Sequence, residues 1–198
     1  MHTVRGTQRG FSLTELMFVL VVLAVVAAIT IPPGTGRNTL RLERAGREVA
    51  DALNFARSEA LRTRVPHGVR AQGARIAVFR LDRSATPPAE RYDVHHPVDK
   101  SLYDIDLAGD IYTQGTAAGG YFVFQNAGAG IAAVSFDANG EPFRGDDGRP
   151  LASGGVLLAN ERSTIAVALA PLTGRTTIGA VTGKPTDPAN AFAAPVQP

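Results

Sequence analysis

An uncharged run from Leu16 to Ile31, closed by Pro32-Pro33, limits what this chain can fold into more than any other feature. It follows Phe11-Ser12-Leu13-Thr14-Glu15 and a short cationic leader, with His2, Arg5 and Arg9, that ends in Gly10. At ~1.5 Å of rise per residue, a helix over residues 11–31 spans about 30 Å, the thickness of a bilayer's hydrocarbon core. A helix satisfies its backbone hydrogen bonds internally, and Leu, Val, Ile and Ala fill this one, so lipid can hold it. The run predicts a single membrane-spanning helix. Glu15 is its one carboxylate. A charge costs about 2.5–3.5 kcal/mol at the bilayer centre and less near the interface. Glu15 therefore either sits among headgroups or receives a cation, such as the amino terminus of a neighbouring subunit. Cleavage just before Phe11 would create such an ammonium four residues away.

Gly10, Phe11, Thr14, Glu15 and the apolar run closely resemble the N-terminus of type IV pilins and type II secretion pseudopilins. The resemblance implies that a prepilin peptidase cuts between Gly10 and Phe11. It further implies that Phe11 becomes N-methylated and that Glu15 is the assembly carboxylate. Pro32 stands where that family often carries a helix-kinking proline. An ordinary signal peptide fits less well, because Glu15 interrupts the apolar region and no Ala-x-Ala site follows.

Of the 198 residues, about 165 follow the anchor, enough for one domain with its own core. Lys and Arg number 20 against 18 Asp and Glu, and two of the basic residues, Arg5 and Arg9, belong to the leader. The mature chain is balanced, so its basicity is a targeting feature and not a nucleic-acid footprint. Leader charge also keeps the amino terminus cytoplasmic and sends the remainder to the periplasm. With no cysteine, the domain must be held by packing and hydrogen bonds alone. Many major pilins carry a C-terminal disulfide loop, so its absence points toward a pseudopilin or a minor pilin.

Pro32 to Gly36 reads as a flexible break. A second helix is expected from Asn38 to Arg64, with an apolar stripe at Leu42, Ala45, Val49, Leu53, Ala56 and Ala60. Pro66 stops it. β signals follow at Gly68–Ala71, Arg75–Asp82, Leu102–Leu107, Tyr121–Phe124, Ala132–Asp137, Gly155–Leu158, Ser163–Leu169 and Arg175–Ile178. The imperfect alternation of Ile76, Val78, Phe79 and Leu81 reads as a strand with one covered face. Ser84–Lys100, Gly115–Gly120 and Gly145–Gly155 read as loops. The organisation expected is leader 1–10, membrane helix 11–31, amphipathic helical half 32–64, β-rich periplasmic domain 65–182 and flexible tail 183–198. The fold class is α+β: a long N-terminal helix packed on an antiparallel sheet.

Three further stretches narrow the resemblance. Phe136-Asp137-Ala138-Asn139-Gly140 is similar to the Phe-Asp-x-x-Gly hairpin of the GspH/FimT family. Asn54-Phe55-Ala56-Arg57-Ser58-Glu59-Ala60 resembles its Ala-Arg-Ser-Glu-Ala helix segment. Ile165 to Arg175 resembles its closing hairpin. The resemblance implies a pilin-like minor pseudopilin of the H type, at or near the tip of the type II secretion pseudopilus. Its partners would be the other major and minor pseudopilins, the prepilin peptidase and, before assembly, inner-membrane lipid. The alternative is a FimT-like minor type IV pilin serving pilus assembly or DNA uptake. Nucleic-acid binding is disfavoured, because residues 65–198 hold 11 basic against 13 acidic side chains.

No catalytic site, cofactor, metal or small-molecule substrate is expected. His95 and His96 are adjacent and face opposite ways in extended chain. Asp137 to Glu141 opens like a calcium loop, but its glycine comes two positions early and no glutamate stands at the twelfth. Gly179 to Lys184 is one residue short of a phosphate loop, and Pro185 replaces the Ser/Thr.

Overall fold

The computed structural model describes residues 13–30 and 35–183, with side chains described for 13–23 and 36–183. The chain divides into two compact units, residues 1–36 and 37–198. The first contains helix α1, Leu13–Thr30. Among the described residues no helix is long and apolar enough to cross a membrane. Residues 11, 12 and 31 of the expected span, the leader, Pro32-Pro33 and the tail beyond Gly183 lie outside the described residues.

Helix α2, Thr35–Thr63, carries the second unit. All six residues of its expected stripe are fully buried. Recurrence at three and four places them on one face, and burying each large aliphatic side chain contributes about 1.5–3 kcal/mol. Small Ala45, Ala56 and Ala60 let the helix lie close to the sheet. Past its end Arg64 turns into a left-handed conformation (φ 61°), and Pro66 prevents continuation.

Eleven strands form one antiparallel sheet among the described residues. They are β1 His67–Gly73, β2 Arg75–Asp82, β3 Ala89–Arg91, β4 Asp104–Asp106, β5 Ala117–Phe124 and β6 Ala133–Phe136. After them come β7 Pro142–Phe143, β8 Leu151–Ala159, β9 Ser163–Leu169, β10 Thr176–Ile178 and β11 Thr182–Gly183. The sheet branches at β1. One edge of β1 pairs with β2, while its other edge is shared by β6 along His67–Arg70 and by β5 at Gln72–Gly73. From β5 the order continues through β8 and β9 to β10. The main core joins the α2 stripe to Phe122, Phe124, Phe136, Val156, Leu158, Ile165 and Val167.

Several expectations are corrected. Strand β2 is covered on both faces at its far end: Ile76 and Val78 enter the main core, whereas Phe79 and Leu81 join a second cluster with Ala133 and Phe143. This explains the broken alternation. The expected loop Ser84–Lys100 holds β3, which pairs with the outer edge of β2. Most of Gly115–Gly120 belongs to β5, and Leu151 already begins β8. Gly183, expected in the tail, pairs with Ser163. The expected strand at Leu102–Leu107 shrinks to β4.

Candidate assembly site

Glu15 lies in the first turn of α1. The first N–H groups of a helix have no intrahelical partner and give that end a partial positive charge, so a carboxylate there is favoured. Beyond it Leu16, Met17, Phe18, Val19, Leu20, Val21, Val22 and Leu23 are all exposed. At 3.6 residues per turn, eight consecutive apolar residues point in every direction. The helix has no polar face to offer water, and a helix apolar all round belongs in lipid or inside other protein. Gly10 and Phe11, the expected cleavage and methylation positions, lie outside the described residues.

On α2, three distant segments meet at Arg57. Its Nε donates to the Gly140 carbonyl at 3.2 Å. That carbonyl belongs to the turn after β6, where Asp137 Oδ1 accepts from the backbone N–H of Asn139 (2.8 Å) and Glu141 (2.9 Å). The Asp137 side chain thus closes the turn, which is ordinary Asx chemistry. Gly140 takes φ +79° and Gly174 φ +62°. A Cβ on Gly174 would stand 2.6 Å from the Gly140 oxygen and 3.1 Å from both Arg57 Cδ and Phe136 Cε1, so only glycine fits. Thr176 Oγ1 donates to Asn54 Oδ1 at 3.0 Å, and Arg64 Nη1 reaches the Ala138 carbonyl at 3.1 Å. The motifs singled out in the sequence therefore clamp the C-terminal half of α2 to two turns of the sheet. Sequence reading located the segments but missed that Arg57 unites them, since neither spacing nor composition reports contact across 83 positions.

The surface of the β2–β3 region is a lattice of ion pairs. Arg70 meets Glu90 at 2.6 Å, Arg80 meets Asp93 at 2.6 Å, and Arg91 meets Asp82 at 3.3 Å. The Glu90 hydrogen bond holds the Arg70 guanidinium further above its already high range, and burial with Glu90 pushes the Tyr92 hydroxyl up to about 12. Arg75 pairs with Asp104, while Arg144 and Arg149 converge on Asp147. His95 is exposed and pairs through its backbone with Leu102. His96 packs on Tyr103, ring centroids 4.9 Å apart, and faces Asp99 at 3.3 Å. Among the described residues no group of three His, Cys, Asp or Glu side chains could hold a metal ion.

Residues 45–174 match the family described as type II transport protein GspH. The chain belongs to the GspH family. Residues 5–31 match the prokaryotic N-terminal methylation motif, which brackets Gly10, Phe11 and Glu15. No curated protein matches the chain. Among solved structures, it is similar to the minor pseudopilin EpsH from the type II secretion system of Vibrio cholerae. That match has 11% identity and a TM-score of 0.45, over 75% of this chain and 99% of that one. It is also similar to the type IV minor pilin FimU of Pseudomonas aeruginosa, with 17% identity and a TM-score of 0.42 over 74% and 92% of the two chains. The methylation motif and the GspH domain together make this a prepilin-like member of a family of structural subunits that assemble with other pilin-like proteins.

Proposed function

We propose that the protein is a minor pseudopilin, a structural subunit at or near the tip of a type II secretion pseudopilus. Residues 11–31 anchor it in the inner membrane as a single span, with the globular domain in the periplasm. A prepilin peptidase removes residues 1–10, Phe11 is N-methylated, and Glu15 directs the subunit into the filament. One observation carries this reading: a GspH domain over residues 45–174 shares its chain with a helix whose side chains are apolar in every direction. Such a helix leaves lipid only if another apolar environment receives it, and a carboxylate travelling with it must meet a cation there or remain a buried, uncompensated charge. A nucleic-acid-binding minor pilin would need a broad basic surface on its β-rich domain, yet there Arg70, Arg75, Arg80, Arg91, Arg144 and Arg149 all engage carboxylates.

Intact mass and N-terminal sequencing of the protein from membranes, with and without prepilin peptidase, test the reading. The expected product begins at Phe11 and carries one extra methyl group, and the peptidase-deficient strain yields the uncut chain. An uncut chain in both strains, or a cut near Ala28, would overturn it.

A further inference from the structure

At the N-terminal end of α2 a cleft of about 450 Å³ opens between the helix and the segment after β4. Arg37, Leu40, Arg41 and Arg44 line one wall; Ile111 and Tyr112 line the other. Leu40, Ile111 and Tyr112 are 59, 63 and 55% exposed, an apolar rim that nothing in the globular unit covers. Arg44 lies over the Tyr112 ring, 4.7 Å from its centroid. Among the described residues Arg37 and Arg41 have no carboxylate within 4 Å, in contrast to the paired arginines of the sheet surface. Glu43, two positions from Arg41 on the helix, faces Arg47 at 3.9 Å, and Glu161 lines an adjoining cleft with Arg41.

Two unpaired guanidiniums beside an exposed tyrosine and two large aliphatics make a cationic site with an apolar lip. Arginine binds phosphate through a fork of donors, tyrosine settles at the headgroup level, and aliphatic side chains enter the acyl boundary. Only residues 31–36 separate Thr30 of α1 from Arg37, so chain length alone keeps Arg37 within about 25 Å of that helix end. We propose that this cleft binds the phosphodiester headgroup of an anionic phospholipid while the subunit is still anchored. Arg37 and Arg41 hold the phosphate, and Leu40, Ile111 and Tyr112 dip into the interface. The headgroup contact keeps the globular domain on the membrane surface until the filament takes it up. This rests on the anchor reading above.

The chain has no cysteine, so Gln114→Cys gives a single thiol on the cleft wall for an environment-sensitive fluorophore. The labelled full chain is reconstituted in phosphatidylcholine vesicles with or without phosphatidylglycerol, and resistance to carbonate extraction checks insertion. With phosphatidylglycerol the emission shifts to the blue and becomes accessible to a lipid-borne quencher. In pure phosphatidylcholine it does neither. Each arginine near an anionic surface weights the bound population about fivefold, so Arg37→Glu with Arg41→Glu abolishes the shift. A label at Leu172→Cys stays unchanged throughout. Equal signals in the two lipids, a shift that survives the double reversal, or a shift that appears only on adding an acidic pilin-like subunit would overturn the proposal. Failure to resist carbonate would instead remove the anchor reading, and this proposal with it.

Discussion

Helix α1 and helix α2 are neighbours in sequence and opposites in physics. The described part of α1 is apolar in all directions after a single carboxylate, so nothing within it favours one neighbour over another. Helix α2 buries one apolar stripe, with Leu40 and Leu61 left exposed beside it, and several of its polar side chains have fixed partners on the sheet, such as Arg57 on Gly140 and Asn54 with Thr176. The first is written for an environment and the second for a fixed set of contacts. Under the proposed function, a subunit that passes from lipid into a filament needs an interchangeable anchor on a domain that does not change.

The comparison predicts that α2-to-sheet contacts govern stability while α1 governs location. The largest stability effect is expected from Phe136→Ala, which empties a fully buried ring position and should cost about 3–5 kcal/mol. Urea denaturation measures it, and a loss under about 1 kcal/mol would mean the clamp region is loosely packed. Gly174→Ala comes next, at about 2–4 kcal/mol, because it adds a left-handed penalty to a close contact with the Gly140 carbonyl. Neither change should alter N-terminal processing.

A smaller effect concerns pH. Burial pushes the His67 imidazole below its ordinary value, outweighing the Val65 carbonyl and the carboxylates of Glu59 and Asp93, while Arg80 pushes it lower. The unfolded chain therefore binds the proton more readily. The His67 contribution is complete above about pH 6.5 and is lost as pH falls from there through the depressed folded value. The melting temperature should fall between pH 7.5 and 5.5, and His67→Gln should flatten that slope. Glu48 acts in the other sense. Burial, then Asp110 and Asp51, raise its carboxyl against the opposing pull of Arg44, so its charge burdens the fold at neutral pH. Glu48→Gln should give a slight gain at pH 7.5 that shrinks as the solution is acidified.

What could be read from the sequence follows the same division. The stripe of α2 was legible because helical period and burial coincide residue by residue, and β2 and β9 kept their expected bounds. Glycine misled the reading elsewhere. Gly120 reads as loop chemistry, but it sits mid-strand opposite Val156, where glycine is required because a Cβ would lie 2.5 Å from the Ala132 carbonyl oxygen. Strands β3, β7 and β11 are two or three residues long and exist only through their partners, which no local pattern encodes. The cleft at Arg37 and Arg41 was also missed. Arg37 precedes the expected helix and Arg41 lies off its apolar stripe, and only the fold brings Ile111 and Tyr112 against them.

The central claim is that Glu15 and the apolar helix serve assembly, whereas the GspH domain stands on its own contacts. Glu15→Ala, followed in one set of cells, tests it most directly. Three readings are taken together: the processed N-terminus, the melting temperature of the purified protein, and recovery in sheared or cross-linked filaments. The account predicts a chain cut at Phe11 and a domain of unchanged stability, with recovery in filaments reduced at least tenfold, as expected when a buried charge pair is broken. A mutant recovered in filaments at the wild-type level would contradict it.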